Sequence, residues 1–408
     1  MRRSRETHLS AGPGPDLPYG RHLIDEADIS AVVEVLRSER LAHGPKVGEF
    51  ERAFAARVAA RFGSACSSGT AALHLALRAL DIGEGDQCVV PAVTFLATAT
   101  AARFCGADVI FADVDPRTGL MSADHLEAAI AGTRGAPRAV LPVHLGGRLC
   151  AMPYIAAVAH AAGAVVVEDA CHALGGRDDS GAAIGACAHS DAAAFSFHPV
   201  KTLATGEGGM VTCNDSVRAE RMRRLANHGV TKEVDMFRDE ALSLDEAGEP
   251  NPWSYEQIEL GFNYRMNEME AALGLSQLSK LDIFVSRRHK LAALYDAALE
   301  PLRPAVEAIL DRGGGAALHL YQVLIDFEAL GVDRATAMRR LAALGVHTQV
   351  HYIPVYRQPY FRARYGVQRL PGAEAFYDRV LALPLFPAMR DGDVKRVVAA
   401  LADALGLG

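Results

Sequence analysis

Lysine is scarce in this sequence. Of 42 basic residues only six are lysines, at positions 46, 201, 232, 280, 290 and 395, which leaves 36 arginines. Arginine stays protonated at any working pH, so a lysine in such a chain is a candidate for chemistry that needs a neutral amine. Long apolar runs are also missing. The longest, Tyr154 to Val167, covers fourteen residues, is interrupted by His160 and Gly163, and is too short to cross a bilayer. The N-terminus carries Arg2, Arg3 and Arg5 followed by Ser, Gly and Pro, with no apolar block to act as a leader, so residues 1–17 are expected to form a flexible tail on a cytoplasmic protein. Seven cysteines, odd in number and without a C-x-x-C pair, suggest neither a disulfide framework nor a metal site. A net charge of −7 without a basic stripe argues against a nucleic-acid partner and for small molecules.

What is present is the composition of a large globular enzyme: 408 residues, half of them apolar and 22% charged. From about residue 22 to 300, short apolar runs alternate with helical patterns. Strands are expected at 87–95, 108–113, 139–145, 164–169, 191–197 and 209–213, apolar on both faces as in a parallel sheet covered by helices. Helices are expected at 69–80 and 153–162. Residues 231–250 carry seven acidic side chains and no apolar period, which predicts a long exposed loop. From Met266 to Leu299 near-helical spacing predicts a long or broken helix leading into a smaller α+β unit, with a strand at 318–326, helices near 333–344 and 391–405, and an extended stretch at 346–353. The fold class is therefore α/β: a large domain over 18–285 with a mainly parallel central sheet flanked by helices, and a small C-terminal α+β domain over 286–408.

One segment concentrates the chemistry. In Phe195-Ser-Phe-His-Pro-Val-Lys201-Thr-Leu-Ala-Thr-Gly-Glu-Gly-Gly-Met210 a scarce lysine follows a buried strand, ahead of a glycine-rich return. Burial disfavours the ammonium and favours the neutral amine used in Schiff-base chemistry, although position alone favours a surface-loop lysine. The strand end Val165-Val-Val-Glu-Asp169-Ala-Cys-His172 delivers a carboxylate to the edge where α/β sheets bind ligands. Pyridoxal phosphate needs a lysine for its aldehyde, an acid for its ring nitrogen, an aromatic over its face and a cup for its phosphate. Lys201, Asp169 and Phe95 fill the first three places. Ser68, Gly69 and Thr70, in a turn that opens a helix, fill the fourth, with Ser196 adding a hydroxyl. Each has a plainer reading: Asp169 as a helix cap, the turn as an ordinary helix start, Phe95 as a core aromatic. His172 packs against the cofactor or caps the turn, and His198 lines the site or braces the lysine loop.

The motifs SSGTAAL (67–73), PAVTFLATA (91–99), PVHLGG (142–147), EDACHALGG (168–176), SFHPVKTLATGEGGM (196–210), NHG (227–229) and GFNYRM (261–266) give the chain its resemblance to the DegT/StrS nucleotide-sugar aminotransferases, which are fold-type I pyridoxal-phosphate enzymes. The resemblance covers about residues 18–400. It implies that Lys201 anchors the cofactor, Asp169 pairs with its pyridinium, and Ser196 and Thr70 meet its phosphate. It also implies a homodimer with shared active sites, in which Asn263 reaches the phosphate of the partner subunit's cofactor.

Within that family PYGRHLIDEADI (18–29), GPKVGEFE (44–51), GGRLCAM (146–152) and HTQVHYIPVYRQPYF (347–361) are most similar to the C4 transaminases of pseudaminic acid biosynthesis, which make UDP-4-amino-4,6-dideoxy-N-acetyl-β-L-altrosamine. This implies UDP-2-acetamido-2,6-dideoxy-β-L-arabino-hexos-4-ulose as acceptor and L-glutamate as donor, in a ping-pong transamination with Lys201 as proton shuttle. Tyr19, Arg21, His198, His351 and Tyr352 are candidates for the UDP-sugar. The chain departs from the family pattern at Ala42, Ala151 and Ala226, near the expected substrate or interface region. Other readings are a transaminase for another 3- or 4-keto sugar, a dehydratase, against which the presence of Lys201 counts, and a non-catalytic binding protein. No G-x-G-x-x-G follows a first strand, so nucleotide-cofactor binding of the NAD type is not indicated.

Overall fold

Short strands rich in Val and Ala form the centre of the protein, as the alternation of apolar runs and helical patterns predicts. The computed structural model describes residues 15–133, 135–310 and 315–408. Seven strands build the main sheet: β1 (Phe62–Cys66), β2 (Gln87–Pro91), β3 (Asp108–Ala112), β4 (Ala139–Val140), β5 (Val165–Asp169), β6 (Ala192–Ser196) and β7 (Gly209–Cys213). Their order is β1-β7-β6-β5-β4-β2-β3. The five strands from β6 to β3 are parallel, while β7 runs antiparallel between β6 and β1. The carboxyl ends of β2, β5 and β6 therefore share one edge with the start of β7. The chain from β6 to β7 needs no crossover helix and turns back at that edge.

Strand lengths differ from expectation in two places. The stretch 139–145 pairs as a ladder only over Ala139–Val140; Pro142 lacks an N–H, and the chain continues through single bonds such as Leu141 N–H to Val89 O. The expected strand 87–95 ends at Pro91. β1 carries no strand signal of its own: Phe-Gly-Ser-Ala-Cys has little β propensity, and its antiparallel partner β7 lies far along the chain, with Gly63 paired to Thr212.

Helices cover both faces. α1 (Glu26–Leu36) and α2 (Pro45–Val58) precede the sheet, and α3 (Gly69–Ala79), α4 (Leu96–Phe104), α5 (Ala123–Ala131), α6 (Met152–Ala161) and α7 (Ser216–Ala226) follow its strands. α3 is almost wholly buried and packs on β6 and β7. On the other face Phe50 and Phe54 of α2 meet Phe195 and Phe197 edge to face, with centroids 5.0–5.4 Å apart. Such pairs contribute about 0.5–1.5 kcal/mol each beyond their burial. This aromatic knot lies directly beneath the segment that carries Lys201.

The acidic segment 231–250 is not one open loop. It holds a short 3-10 turn at Val234–Met236 and α8 (Glu240–Ser243), and it is flanked by the small ladder of β8 (Val230–Thr231) with β9 (Glu256–Gln257). Glu256 gathers it by accepting from the N–H groups of Arg238 and Asp239 and from Ser243 Oγ. The predicted long helix is broken into α9 (Glu268–Leu278) and α10 (Leu281–Leu299). α10 is continuous across residue 285, where the sequence divides the two domains.

The C-terminal unit is a three-stranded antiparallel sheet of β10 (Val306–Ala308), β11 (Tyr321–Ile325) and β12 (Val380–Leu383), with α11 (Arg334–Ala343), α12 (Pro359–Tyr365), α13 (Pro371–Arg379) and α14 (Asp391–Leu405). The extended stretch 346–353 lies along β12, where Gln349 and Ala382 exchange backbone bonds of 2.8 and 3.2 Å. Of the expected tail 1–17, residues 1–14 lie outside the described residues. Leu17 is not tail: it is buried, bridges Val346 and donates its N–H to Gly345 O at 2.9 Å. An apolar side chain gains more from this groove than from solvent. Among the described residues no helix is long and apolar enough to cross a membrane, and all seven thiols are free.

Candidate active site

A cavity of about 560 Å³ opens at the sheet edge where β2, β5 and β6 end. Ser68, Gly69, Thr70, Phe95, Asp169, His172, Ser196 and Lys201 all line it, as do Tyr19, His198, His351 and Tyr352. Two predicted residues lie elsewhere. Arg21 is exposed and does not line the cavity; Asn263 is exposed and sits in a backbone bridge with Asn227. Arg21 lies in an irregular stretch after Tyr19, where its spacing from that residue does not fix the direction of its side chain. Ala42, Ala151 and Ala226 do not line the cavity either.

Lys201 sits in the return from β6 to β7. Its N–H donates to His198 O at 2.8 Å, and Phe197 and Thr205 pin the loop through bonds to Gly208 O (2.8 Å) and Phe197 O (3.0 Å). Burial of the amine pushes its pKa below the ordinary lysine value, against the opposing pull of Cys171 and Asp169. The neutral amine is thereby favoured. Beside it, burial pushes the Cys171 thiol well up, and nearby Asp169 adds to the effect, so that side chain stays protonated.

Asp169 ends β5. Its Oδ2 accepts from Thr98 Oγ1 at 2.7 Å and its Oδ1 from the Cys171 N–H at 3.2 Å. Thr98 is held in turn by Thr94 Oγ1 at 2.8 Å. Two donors fix the carboxylate with lone pairs to spare for a cationic N–H.

The α3 N-terminus faces the same cavity. Ser68 caps it, its Oγ accepting from Ala71 N–H at 3.1 Å, while the N–H groups of Gly69 and Thr70 have no acceptor among the described residues. Free N–H groups at the positive end of a helix dipole suit a phosphate. A Cβ at Gly69 would come within 2.7 Å of Ser196 Cβ, so only glycine lets α3 approach β6 this closely.

His172 forms the far wall. Burial, then Lys201, His351 and Arg148, hold its pKa well below the usual imidazole range, so the ring is neutral. Its Nδ1 accepts from Gly146 N–H at 3.1 Å, which leaves the ring proton on Nε2, facing Tyr352 Oη at 3.3 Å. Gly146 adopts φ 70°, where a side chain would strain the backbone. Phe95 keeps 54% of its surface exposed, unlike a core aromatic, and its ring lies 5.8 Å from that of Tyr352.

Several lining residues escaped the sequence reading. Thr94 and Cys171 fall inside motifs already singled out; so does Thr98, which bonds Asp169 without lining the cavity and lies one helical turn beyond Phe95, a spacing that could have found it. Glu207, Gln349 and Gln358 also lie inside quoted motifs, 196–210 and 347–361, but only folding, which brings segment 349–358 over the sheet edge, shows that the two glutamines face the cavity.

The donor set fits pyridoxal phosphate. Free N–H groups and hydroxyls suit its phosphate, a doubly held carboxylate its ring nitrogen, an exposed aromatic its face, and a lysine of lowered pKa its aldehyde. Comparison with known proteins agrees. Spore coat polysaccharide biosynthesis protein SpsC of Bacillus subtilis is 38% identical over 390 residues, covering 95% of this chain and 96% of that protein. Helicobacter pylori PseC, described as an aminotransferase involved in the biosynthesis of pseudoaminic acid, superposes with a TM-score of 0.86 at 25% identity, over 96% of this chain and 99% of that one. The putative sugar aminotransferase Spr1654 from Streptococcus pneumoniae, in its pyridoxal-phosphate form, gives 0.84 at 26% identity, over 96% and 99%. Residues 22–402 match the family description, and the chain belongs to the DegT/DnrJ/EryC1/StrS aminotransferases, sugar-modifying enzymes that work with pyridoxal phosphate.

Proposed function

We propose that this sugar aminotransferase moves the amino group of L-glutamate to C4 of a UDP-linked 4-keto-6-deoxy-N-acetylhexosamine, UDP-2-acetamido-2,6-dideoxy-β-L-arabino-hexos-4-ulose, giving the 4-amino sugar used for pseudaminic acid. The observation that carries the reading is the convergence of Lys201 and Asp169 on one cavity with the open α3 N-terminus. The likeness to PseC and the motifs of segments 18–29 and 347–361 support the choice of sugar. The 38% identity to SpsC, named for spore coat polysaccharide, favours a second reading in which the acceptor is another nucleotide-linked 3- or 4-keto sugar.

In this reading Ser68, Gly69, Thr70 and Ser196 hold the cofactor phosphate, Phe95 covers the ring, and Asp169 keeps the ring nitrogen protonated. Pyridoxal phosphate, when bound, supplies an electron-poor ring that stabilises the electron pair left at the donor's Cα. Lys201 Nζ takes the proton from the donor's Cα and delivers it to the former aldehyde carbon of the cofactor, and in the sugar half-reaction carries a proton the opposite way, to the sugar's C4, which requires the neutral amine that burial favours. Tyr19, His198, His351 and Tyr352 form the wall against which the UDP-sugar is oriented. Asn263, exposed and outside this cavity, serves the second subunit of a homodimer. Seven free thiols support a cytoplasmic setting.

The test is the visible absorption of the protein reconstituted with pyridoxal phosphate. Bleaching by L-glutamate and recovery on adding the UDP-linked 4-keto sugar are expected. A cofactor band that glutamate leaves unchanged overturns glutamate as donor; a band that recovers only with other nucleotide-linked keto sugars selects the second reading.

A further inference from the structure

Asp169 is held from the cavity side by Thr98 and the Cys171 N–H, but the strand that carries it is also gripped from behind. Neighbours on a strand point to opposite faces, so Glu168 lies across the sheet from the cavity. It is 4% exposed and accepts from His144 Nε2 at 3.0 Å and from Ser190 Oγ. His144 is fully buried. Its Nδ1 accepts from the Cys150 N–H at 3.1 Å, which leaves the ring proton on Nε2, directed at the carboxylate.

The same short segment grips the peptide of Asp169. Its N–H donates to Pro142 O at 2.9 Å, and its carbonyl accepts from His144 N–H at 3.2 Å. His144 thus binds Asp169 through its backbone and Glu168 through its ring. The ladder of β4 with β5 pairs only Ala139 with Val165 and Val140 with Val166, so at the cavity end these contacts replace the missing strand pairs.

A buried carboxylate costs several kcal/mol to desolvate unless its lone pairs are filled. A leucine at position 168 would fill the space without that cost. What the pair provides is directional: two hydrogen bonds on Glu168 fix the twist of the 168–169 peptide and with it the direction of the next side chain.

We propose that His144 and Glu168 are positioning residues, a buried pair that sets the aim of the Asp169 carboxylate at the cofactor's ring nitrogen. The proposal rests on the reading of Asp169 as the partner of that nitrogen. Neither residue touches the cavity, and both act only through Asp169.

The experiment compares the affinity of the apoprotein for pyridoxal phosphate with that for the carbocyclic analogue in which the ring nitrogen is replaced by CH. The ratio of the two dissociation constants isolates the contact with Asp169. Asp169→Asn tests the parent reading: a ratio that does not collapse towards one overturns the reading of Asp169 itself. With that established, Glu168→Ala is expected to lower the ratio at least tenfold while Glu168→Gln, which keeps the hydrogen bonds, stays within threefold of the parent. An unchanged ratio in Glu168→Ala, with both ligands weakened equally, overturns positioning in favour of a purely structural role. A fall in Glu168→Gln as large as in Glu168→Ala also overturns it, since charge rather than aim would then be at work. If Glu168→Ala does not fold, His144→Leu, which removes the donor to Glu168, takes its place, and a parent-like ratio there overturns the proposal.

Discussion

Thr98 Oγ1 donates to Asp169 Oδ2 over 2.7 Å, from the first turn of α4 to the last residue of β5. The bond ties the helix that follows Phe95 to the carboxylate, so one contact couples two walls of the site. Thr98→Val keeps the shape and removes the donor, leaving a buried carboxylate oxygen short of a partner. We expect the apoprotein to lose about 1–3 kcal/mol of stability, read from urea unfolding. Stability equal to the parent would show that another group replaces the hydroxyl.

Lys201→Ala should lower turnover by at least about a thousandfold, within the range that a positioned proton-transfer group contributes, while leaving the melting temperature and oligomeric state unchanged. Borohydride treatment of the cofactor-loaded parent should fix the cofactor covalently, and mass spectrometry of the variant should find none attached. Parent-like turnover in the variant would remove Lys201 from the chemistry.

His351 lines the cavity, and burial, then Lys201, lower its pKa to about 3. Between the ordinary imidazole value of about 6.5 and that value, the unfolded chain binds a proton that the folded chain refuses, so stability is lost as pH falls through this window. One such group contributes a slope of about 1.4 kcal/mol per pH unit. His351→Gln should flatten the fall of unfolding free energy between pH 6 and pH 4 by about that slope, and an identical pH profile would contradict the burial of this ring.

Gly69→Ala should displace α3 from Ser196, at a cost of about 1–3 kcal/mol for an overpacked contact, and weaken cofactor binding in step. Adding Ser196→Gly removes the atom 2.7 Å from the new Cβ and should recover most of the lost stability. Calorimetric melting of the single and double variants checks this; a double variant no better than Gly69→Ala would place the strain elsewhere.

The sequence was most legible where local chemistry and strand ends coincide. Asp169 follows a run of valines, Lys201 follows a buried strand, and the turn at Ser68–Thr70 opens a helix, so each announces its own position at the sheet edge. Residues whose place depends on distant pairing were silent. β1 is a strand because β7 runs beside it, not because Phe-Gly-Ser-Ala-Cys favours one. Gln349 and Gln358 lie inside the motif 347–361, yet they reach the cavity only because that segment folds over the sheet edge, with Gln349 bridged to Ala382 of β12. Leu17, read as tail, is fixed by Val346, more than three hundred positions onward in the numbering. Arg21, a candidate because a nucleotide diphosphate needs cationic partners, is exposed and does not line the cavity.

The antiparallel course of β7 also sets how strongly Lys201 competes with amines in solution. Ser196 pairs with Gly209, so the loop 197–208 has both ends held side by side, and the bonds from Phe197 to Gly208 and from Thr205 to Phe197 narrow it further. An amine confined in this way has a high effective concentration towards its target, which for well-oriented groups reaches about 10⁵ M or more. A small free amine supplied to Lys201→Ala faces no such confinement and must rely on its own molarity, so even a chemically adequate substitute would restore only a small part of what the tether provides.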